Sequence, residues 1–354
     1  MRLLPKLTSS LLACGLLMAG AAAPSAFAAE VSCSEVTLPV TAPGLLPLLS
    51  PGMPAVVRGQ FCSPKGATPT TVQLLVHGGT YNRAYWDLPY QPEKYSYQRD
   101  MAKHGYATFA VDRLGTGKSS KPLSIPMMID AEALAMHEVV GHLRAGKVAG
   151  TAFTKVIMIG HSVGSGIVAY AAAKYKDVDG VGLTGITHLP ALPVLGVGAG
   201  LGLHPTLLDP LLGSRGSDPL YFATRPGARG PLFYAADDAD PKVIAADEAT
   251  KDQVSVPGMG TVAVFGIILP ATLGINVPVF QAVGEKDILF CGLLALRDCS
   301  SAKALHPQEA PYYSKEAKLE TYVLPKAGHS LGLHKNADEY RDATRTWLNK
   351  HFGA

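Results

Sequence analysis

Charge is scarce in this chain: Asp, Glu, Lys and Arg make up 17% of its 354 residues, against roughly 25% in an average soluble protein. With 47% of residues apolar, that deficit excludes wholesale disorder and implies a sizeable buried core. Lysine and arginine number 31 against 28 acids, so no strong positive balance points to a nucleic-acid partner. Glycine and proline, 37 and 27 residues, fall short of the roughly 25–30% that marks low-complexity sequence, which leaves them to serve as turns. Cysteine is sparse too, five in all, and no Cys-x-x-Cys spacing supports a metal site. The length admits one large α/β domain or two ordinary ones and excludes a solitary small motif.

Acid is absent from the first 28 residues, which carry Arg2 and Lys6. That short positive start, the apolar run Leu11 to Ala23 and the small residues of Ala26-Phe27-Ala28 read as a cleaved secretory signal over 1–28. A permanent anchor is the weaker reading, because Gly15, Gly20 and Pro24 interrupt a run already short for a span of about 20 residues. No integral membrane span is expected in the mature chain. Leu11-Leu12-Ala13-Cys14 looks like a lipoprotein box, but Leu12 is uncommon there and the apolar run continues past the cysteine. Anchoring at Cys14 therefore ranks below ordinary export to a secreted or periplasmic location. Removing the leader leaves Cys33, Cys62, Cys291 and Cys299, an even number that implies two disulfides. Of three connectivities, local closure favours Cys33 with Cys62 and Cys291 with Cys299.

Residues 29–70 read as N-terminal strands and loops joined to the domain that follows, with β-prone stretches at Val36 to Val40 and Ala55 to Phe61. From residue 71 short apolar runs alternate with helix-length segments, as in βα units around a parallel sheet. Strands are expected at Thr71 to Val76, Ala107 to Val111, Lys155 to Ile159, Gly180 to Ile186, Val279 to Val283 and Lys318 to Leu324. Helices are expected between Ser96 and Gly105, over Asp130 to Arg144 and over Asp338 to His351. Residues 189–276 break the alternation, and an insertion that long reads as a lid or small subdomain. Within it Asp240 and Pro241 read as the cap and first position of a helix. Pro190, Pro193 and a run of glycines through Gly202 argue against a stable helix in the uncharged stretch before His204, leaving Gly196, Gly198, Gly200 and Gly202 as flexible backbone.

Three partial motifs fail on their own chemistry. Asp112 to Ser119 ends like a phosphate loop but has Asp112 where the leading glycine belongs. His137 and His142 are five residues apart, about 140° around a helix, so one metal cannot reach both from one face. Ser300 and Lys303 lack the partner motifs of a β-lactam-binding site. The strong signal is Gly160-His161-Ser162-Val163-Gly164, placed after the strand run Val156 to Ile159 and before the helix-like Ser165 to Lys174. A serine at such a turn is held exposed on a strained backbone. Upstream, Leu74-Leu75-Val76-His77-Gly78-Gly79 ends a strand in a turn whose Gly79 N–H, with that of Val163, could receive an oxyanion; Thr80 is the alternative donor. His77 reads as a residue bonding that turn. Downstream, Gly284-Glu285-Lys286-Asp287 and Pro325-Lys326-Ala327-Gly328-His329-Ser330 each follow a strand, giving the order Ser162, Asp287, His329.

In that order the sequence resembles the α/β-hydrolase superfamily over roughly residues 71–352, including a glycine turn at Asp112 to Ser119. The resemblance implies an α/β fold with an eight-stranded, mostly parallel central sheet, helices on both faces and an inserted cap. Its core would span 71–188 and 277–354, with the cap at 189–276. It also implies Ser162 as nucleophile, His329 as base and Asp287 as the orienting acid, without metal or organic cofactor. Glu285 and Asp298 compete for the acid's role, and His334 lacks a strand-end position. Hydrolysis of a small carboxylic ester with an apolar part leads the readings. Amide or peptide hydrolysis and cofactor-free perhydrolysis follow on the same triad, with a non-catalytic secreted binding protein last.

Overall fold

The computed structural model describes Met1 and residues 30–44 and 52–353; Cys14 and, apart from Met1, the expected signal peptide lie outside them. Among the described residues eleven strands run β1 (Val31–Ala42), β2 (Met53–Pro64), β3 (Thr71–Val76), β4 (Ala107–Val111), β5 (Lys155–His161), β6 (Gly180–Thr184), β7 (Leu203–Pro205), β8 (Tyr221–Thr224), β9 (Gln253–Ser255), β10 (Val279–Gly284) and β11 (Glu320–Leu324). Eight of them form one sheet in the order β1-β2-β4-β3-β5-β6-β10-β11. Its only antiparallel pairings are β1 with β2 and β2 with β4, so β2 alone runs against the rest. Every residue of β3, β4, β6 and β10 is buried, which is why these strands read as predominantly apolar runs, broken only by single residues such as Gln73, Thr108 and Gln281, rather than as alternating ones.

Helix Ile129–Arg144 packs on Val163–Tyr175, and Tyr97–Lys103 packs with Ala337–His351, two pairs that cover the sheet. Ser96 caps its helix by accepting the Arg99 N–H, and Asp240 accepts that of Lys242. The N-terminal hairpin is part of the main sheet: Cys33 lies opposite Cys62 in register and is bonded to it. Glu138 fastens β1 to helix Ile129–Arg144 by accepting the Thr41 N–H and hydroxyl. Neighbouring His137 and His142 turn apart, to Asp177 and to the Pro39 carbonyl.

Two expected strands are shorter than their apolar runs. Gly185 at φ 65° ends β6, and Lys318 at φ 42° closes a turn before β11, because left-handed backbone cannot continue a strand. The glycine-rich stretch expected to be non-helical forms helix Leu192–Gly202. Pro193 sits in its first turn, where a backbone N–H has no helical partner to lose. Between β6 and β10 the chain also builds the antiparallel sheet β7-β8-β9 and a helix, Val256–Thr261, that runs on as π-helix through Val262–Ile268. Backbone atoms of Gly166 approach Gly266 so closely that no side chain fits between them, which seats this π-helical turn directly on helix Val163–Tyr175.

Candidate active site

Strand β5 ends at His161, and the backbone reverses at Ser162 with φ 53° and ψ −121° before helix Val163–Tyr175 begins. Such a conformation is costly for a non-glycine residue, and local packing enforces it. A methyl group added at Gly160 would lie 2.5 Å from the Gly164 carbonyl, and one at Gly164 would strike the Val76 carbonyl oxygen. The sequence Gly-x-Ser-x-Gly is thus read as contact between β5, β3 and the following helix.

His329, on the turn after β11, donates from Nδ1 to Asp287 Oδ2 at 2.8 Å, and both side chains are buried. Asp287 Oδ1 accepts the Leu289 N–H, and the Asp287 carbonyl accepts that of Cys291. The loop beyond it is closed by the Cys291–Cys299 disulfide. The other candidate acids are elsewhere: Glu285 pairs with Lys286 and the Lys326 N–H at the surface, and Asp298 is solvent-exposed and accepts the Ser300 N–H.

Ser162 and His329 both line a cavity of about 450 Å³ together with Gly79, Thr80, Tyr81 and Val163. A methyl group on Gly79 would lie 3.1 Å from Val163 Cγ2, so the two turns meet beside the serine. Among the described residues, the N–H groups of Gly79, Thr80 and Val163 have no hydrogen-bond acceptor. Unpaired donors beside a nucleophile are what an oxyanion site requires. Among the described residues, no Asp, Glu, Lys or Arg lines the cavity; Leu192, Leu195, Met259, Val262, Ile267 and Phe290 form much of its wall.

The histidines around the site have separate roles. His77 donates from Nδ1 to the Gly78 carbonyl and accepts the Arg113 N–H at Nε2. Burial, aided by the charge of Arg113, holds it well below the ordinary histidine range. His161 stacks on Tyr85 at 4.2 Å and is likewise pushed well down, by burial and then by His329. His334 accepts the Gly328 and Ala235 N–H groups at Nε2 and donates from Nδ1 to the Ser330 carbonyl, bracing the turn that carries His329. It too is lowered, chiefly by burial.

Residues 73–343 match the model of the alpha/beta hydrolase family. The chain belongs to that family. Among solved structures, this hydrolase-family chain is similar to a thermophilic esterase from Thermogutta terrifontis, at 18% identity and TM-score 0.56, covering 89% of this chain and 99% of the esterase. It is also similar to the enol-lactonase from Burkholderia xenovorans, at 15% identity and TM-score 0.53, covering 83% of this chain and 97% of the lactonase. At these identities the likeness is one of fold. No curated protein matches the chain. Its family motifs gave no hint of Arg229, Tyr81 or the bracing role of His334. Each has a partner far off in sequence: Tyr81 Oη lies 2.6 Å from Ser330 Oγ across 249 positions, Arg229 meets Thr80 across 149 and His334 meets Ala235 across 99.

Proposed function

We propose that this α/β-hydrolase is an exported serine hydrolase that cleaves carboxylic esters with an apolar acyl or alcohol part. Ser162 Oγ attacks the ester carbon as His329 Nε2 takes its proton, and Asp287 holds the imidazole and its developing charge. The N–H groups of Gly79 and Val163 receive the oxyanion. His329 then returns the proton to the departing alkoxide, and water, activated by the same base, releases the acid and restores Ser162. In this reading residues 1–28 are a signal peptide, 29–70 are N-terminal strands and loops joined to the catalytic domain, 71–188 and 277–354 form the core, and 189–276 form the cap.

The observation that carries the proposal is the pairing of a strained, cavity-facing Ser162 with a His329–Asp287 hydrogen bond at the edge of an uncharged cavity. The two disulfides fit an oxidising compartment, and among the described residues no helix is long and apolar enough to cross a membrane. The uncharged wall favours substrates whose reacting end is neutral. Each methylene it buries contributes about 0.8 kcal/mol, close to fourfold in kcat/KM. Purified protein assayed on p-nitrophenyl esters of graded acyl length should show kcat/KM rising several-fold per carbon to a maximum. A flat profile, a preference for charged acyl groups, or faster turnover of matched amides or of peroxide in a perhydrolysis assay would reject the ester assignment.

A further inference from the structure

Thr80 follows the oxyanion glycine with φ 61°, a region where a β-branched residue is a genuine outlier. Its surroundings show what holds it there. Arg229, at 0% exposure, sends Nη1 to the Thr80 carbonyl at 3.0 Å and to Thr80 Oγ1 at 3.2 Å. The Asp252 N–H meets the same carbonyl at 2.9 Å. The rest of the guanidinium is fixed in turn, Nε donating to Asp247 Oδ2 and Nη2 to Asp247 Oδ1, each at 2.9 Å, and Oδ2 also accepts the Tyr234 hydroxyl. The guanidinium Cζ lies 4.0 Å from the centre of the Tyr81 ring, and the Tyr81 hydroxyl reaches Ser330, next to His329. One buried side chain from the segment between β6 and β10 therefore touches the turn after β3 directly and the His329 turn through Tyr81.

We propose that Arg229 is a positioning residue that clamps Thr80 in its left-handed conformation and so aims the N–H groups of the Gly79–Thr80 turn at Ser162. The proposal rests on the hydrolase reading above and assigns part of the segment between β6 and β10 to the catalytic geometry rather than to a detachable lid. With its carbonyl drawn toward Arg229 and Asp252, Thr80 leaves the preceding peptide one orientation. Released, it would relax to negative φ and turn the donors away from the serine.

The test is a double-mutant cycle read as kcat against KM. Arg229→Lys keeps the charge beside Asp247 but lacks the planar fork that spans Asp247 and Thr80 together. It should lower kcat by about tenfold or more, with KM changed less than about twofold, as expected when transition-state donors are misaimed. Glycine adopts φ 61° without a clamp, so in a Thr80→Gly background Arg229→Lys should cost less than about threefold in kcat. An equal loss in both backgrounds, or full activity in Arg229→Lys, overturns the clamp. If Arg229→Lys does not fold, Asp247→Asn, which frees the guanidinium to turn from Thr80, takes its place in the cycle with the same expected outcomes. Wild-type protein that takes no fluorophosphonate label at Ser162 overturns the hydrolase reading itself. A labelled wild type with a fully active Arg229→Lys variant overturns the clamp alone.

Discussion

Ser162 and Thr80 both hold positive φ without being glycine, at a cost of order 1–3 kcal/mol each, yet only one of them could be found by reading along the chain. Ser162 sits inside a local pattern, strand, Gly-x-Ser-x-Gly, helix, whose meaning depends on neighbours within a few positions. Thr80 is held by Arg229, 149 positions away, and no local spacing marks that pair. Asp287 falls between, since its place after β10 singles out a short stretch and only the hydrogen bond to His329 separates it from Glu285. The buried histidines lead to a stability prediction. His77, His161 and His334 are all lowered from 6.5, so below that pH the unfolded chain binds protons that the folded chain excludes. Stability is then lost as pH falls, by up to about 1.4 kcal/mol per pH unit for each histidine. Asp112 and Glu132, raised chiefly by burial, act with the opposite sign nearer the carboxylate range. Denaturant unfolding should show stability dropping from pH 7 toward pH 5, with a smaller slope in His161→Gln; a pH-independent stability over that interval would refute the assignment.

At the scale of elements, apolar runs located the central strands because strands buried on both faces need nothing else. Ends were harder to place, as at Gly185 and Lys318, where backbone handedness rather than side-chain character stops the strand. Helix Leu192–Gly202 was illegible for a related reason: glycine and proline are poor helix formers on average, and here tertiary contact overrides propensity. A methyl group added at Gly202 would lie 2.6 Å from Leu232, a close approach that composition cannot show. The loop after β10 was legible from cysteine spacing alone. Its disulfide closes a separation of 8 residues just beyond Asp287, worth roughly 2.5 kcal/mol in the chain-entropy picture. Replacing Cys291 and Cys299 together by serine should lower stability by about that amount and reduce kcat more than KM, because Asp287 would orient His329 less well. Unchanged kcat with lowered stability would show that the loop holds the fold without tuning the site.

Across the whole molecule, the alternation of strands and helices from residue 71 onward carried the fold class, and the order of β1 and β2 beside β4 did not follow from it. The hairpin joins the sheet through Gly59 to Cys62 pairing with Thr108 to Val111, a register that no motif announces. The segment between β6 and β10 likewise stood out by length, but its contribution to the site, through Arg229 and the π-helical wall of the cavity, depends on contacts that only folding supplies. The proposed function turns on one chemical claim, that Ser162 is the nucleophile. Incubating the intact chain with a fluorophosphonate and mapping the modified peptide by mass spectrometry tests it most directly. The account predicts a single phosphonyl group on the peptide carrying Ser162, no label in Ser162→Ala, and ester turnover abolished in that variant. Label on another residue, or undiminished turnover in Ser162→Ala, would contradict it.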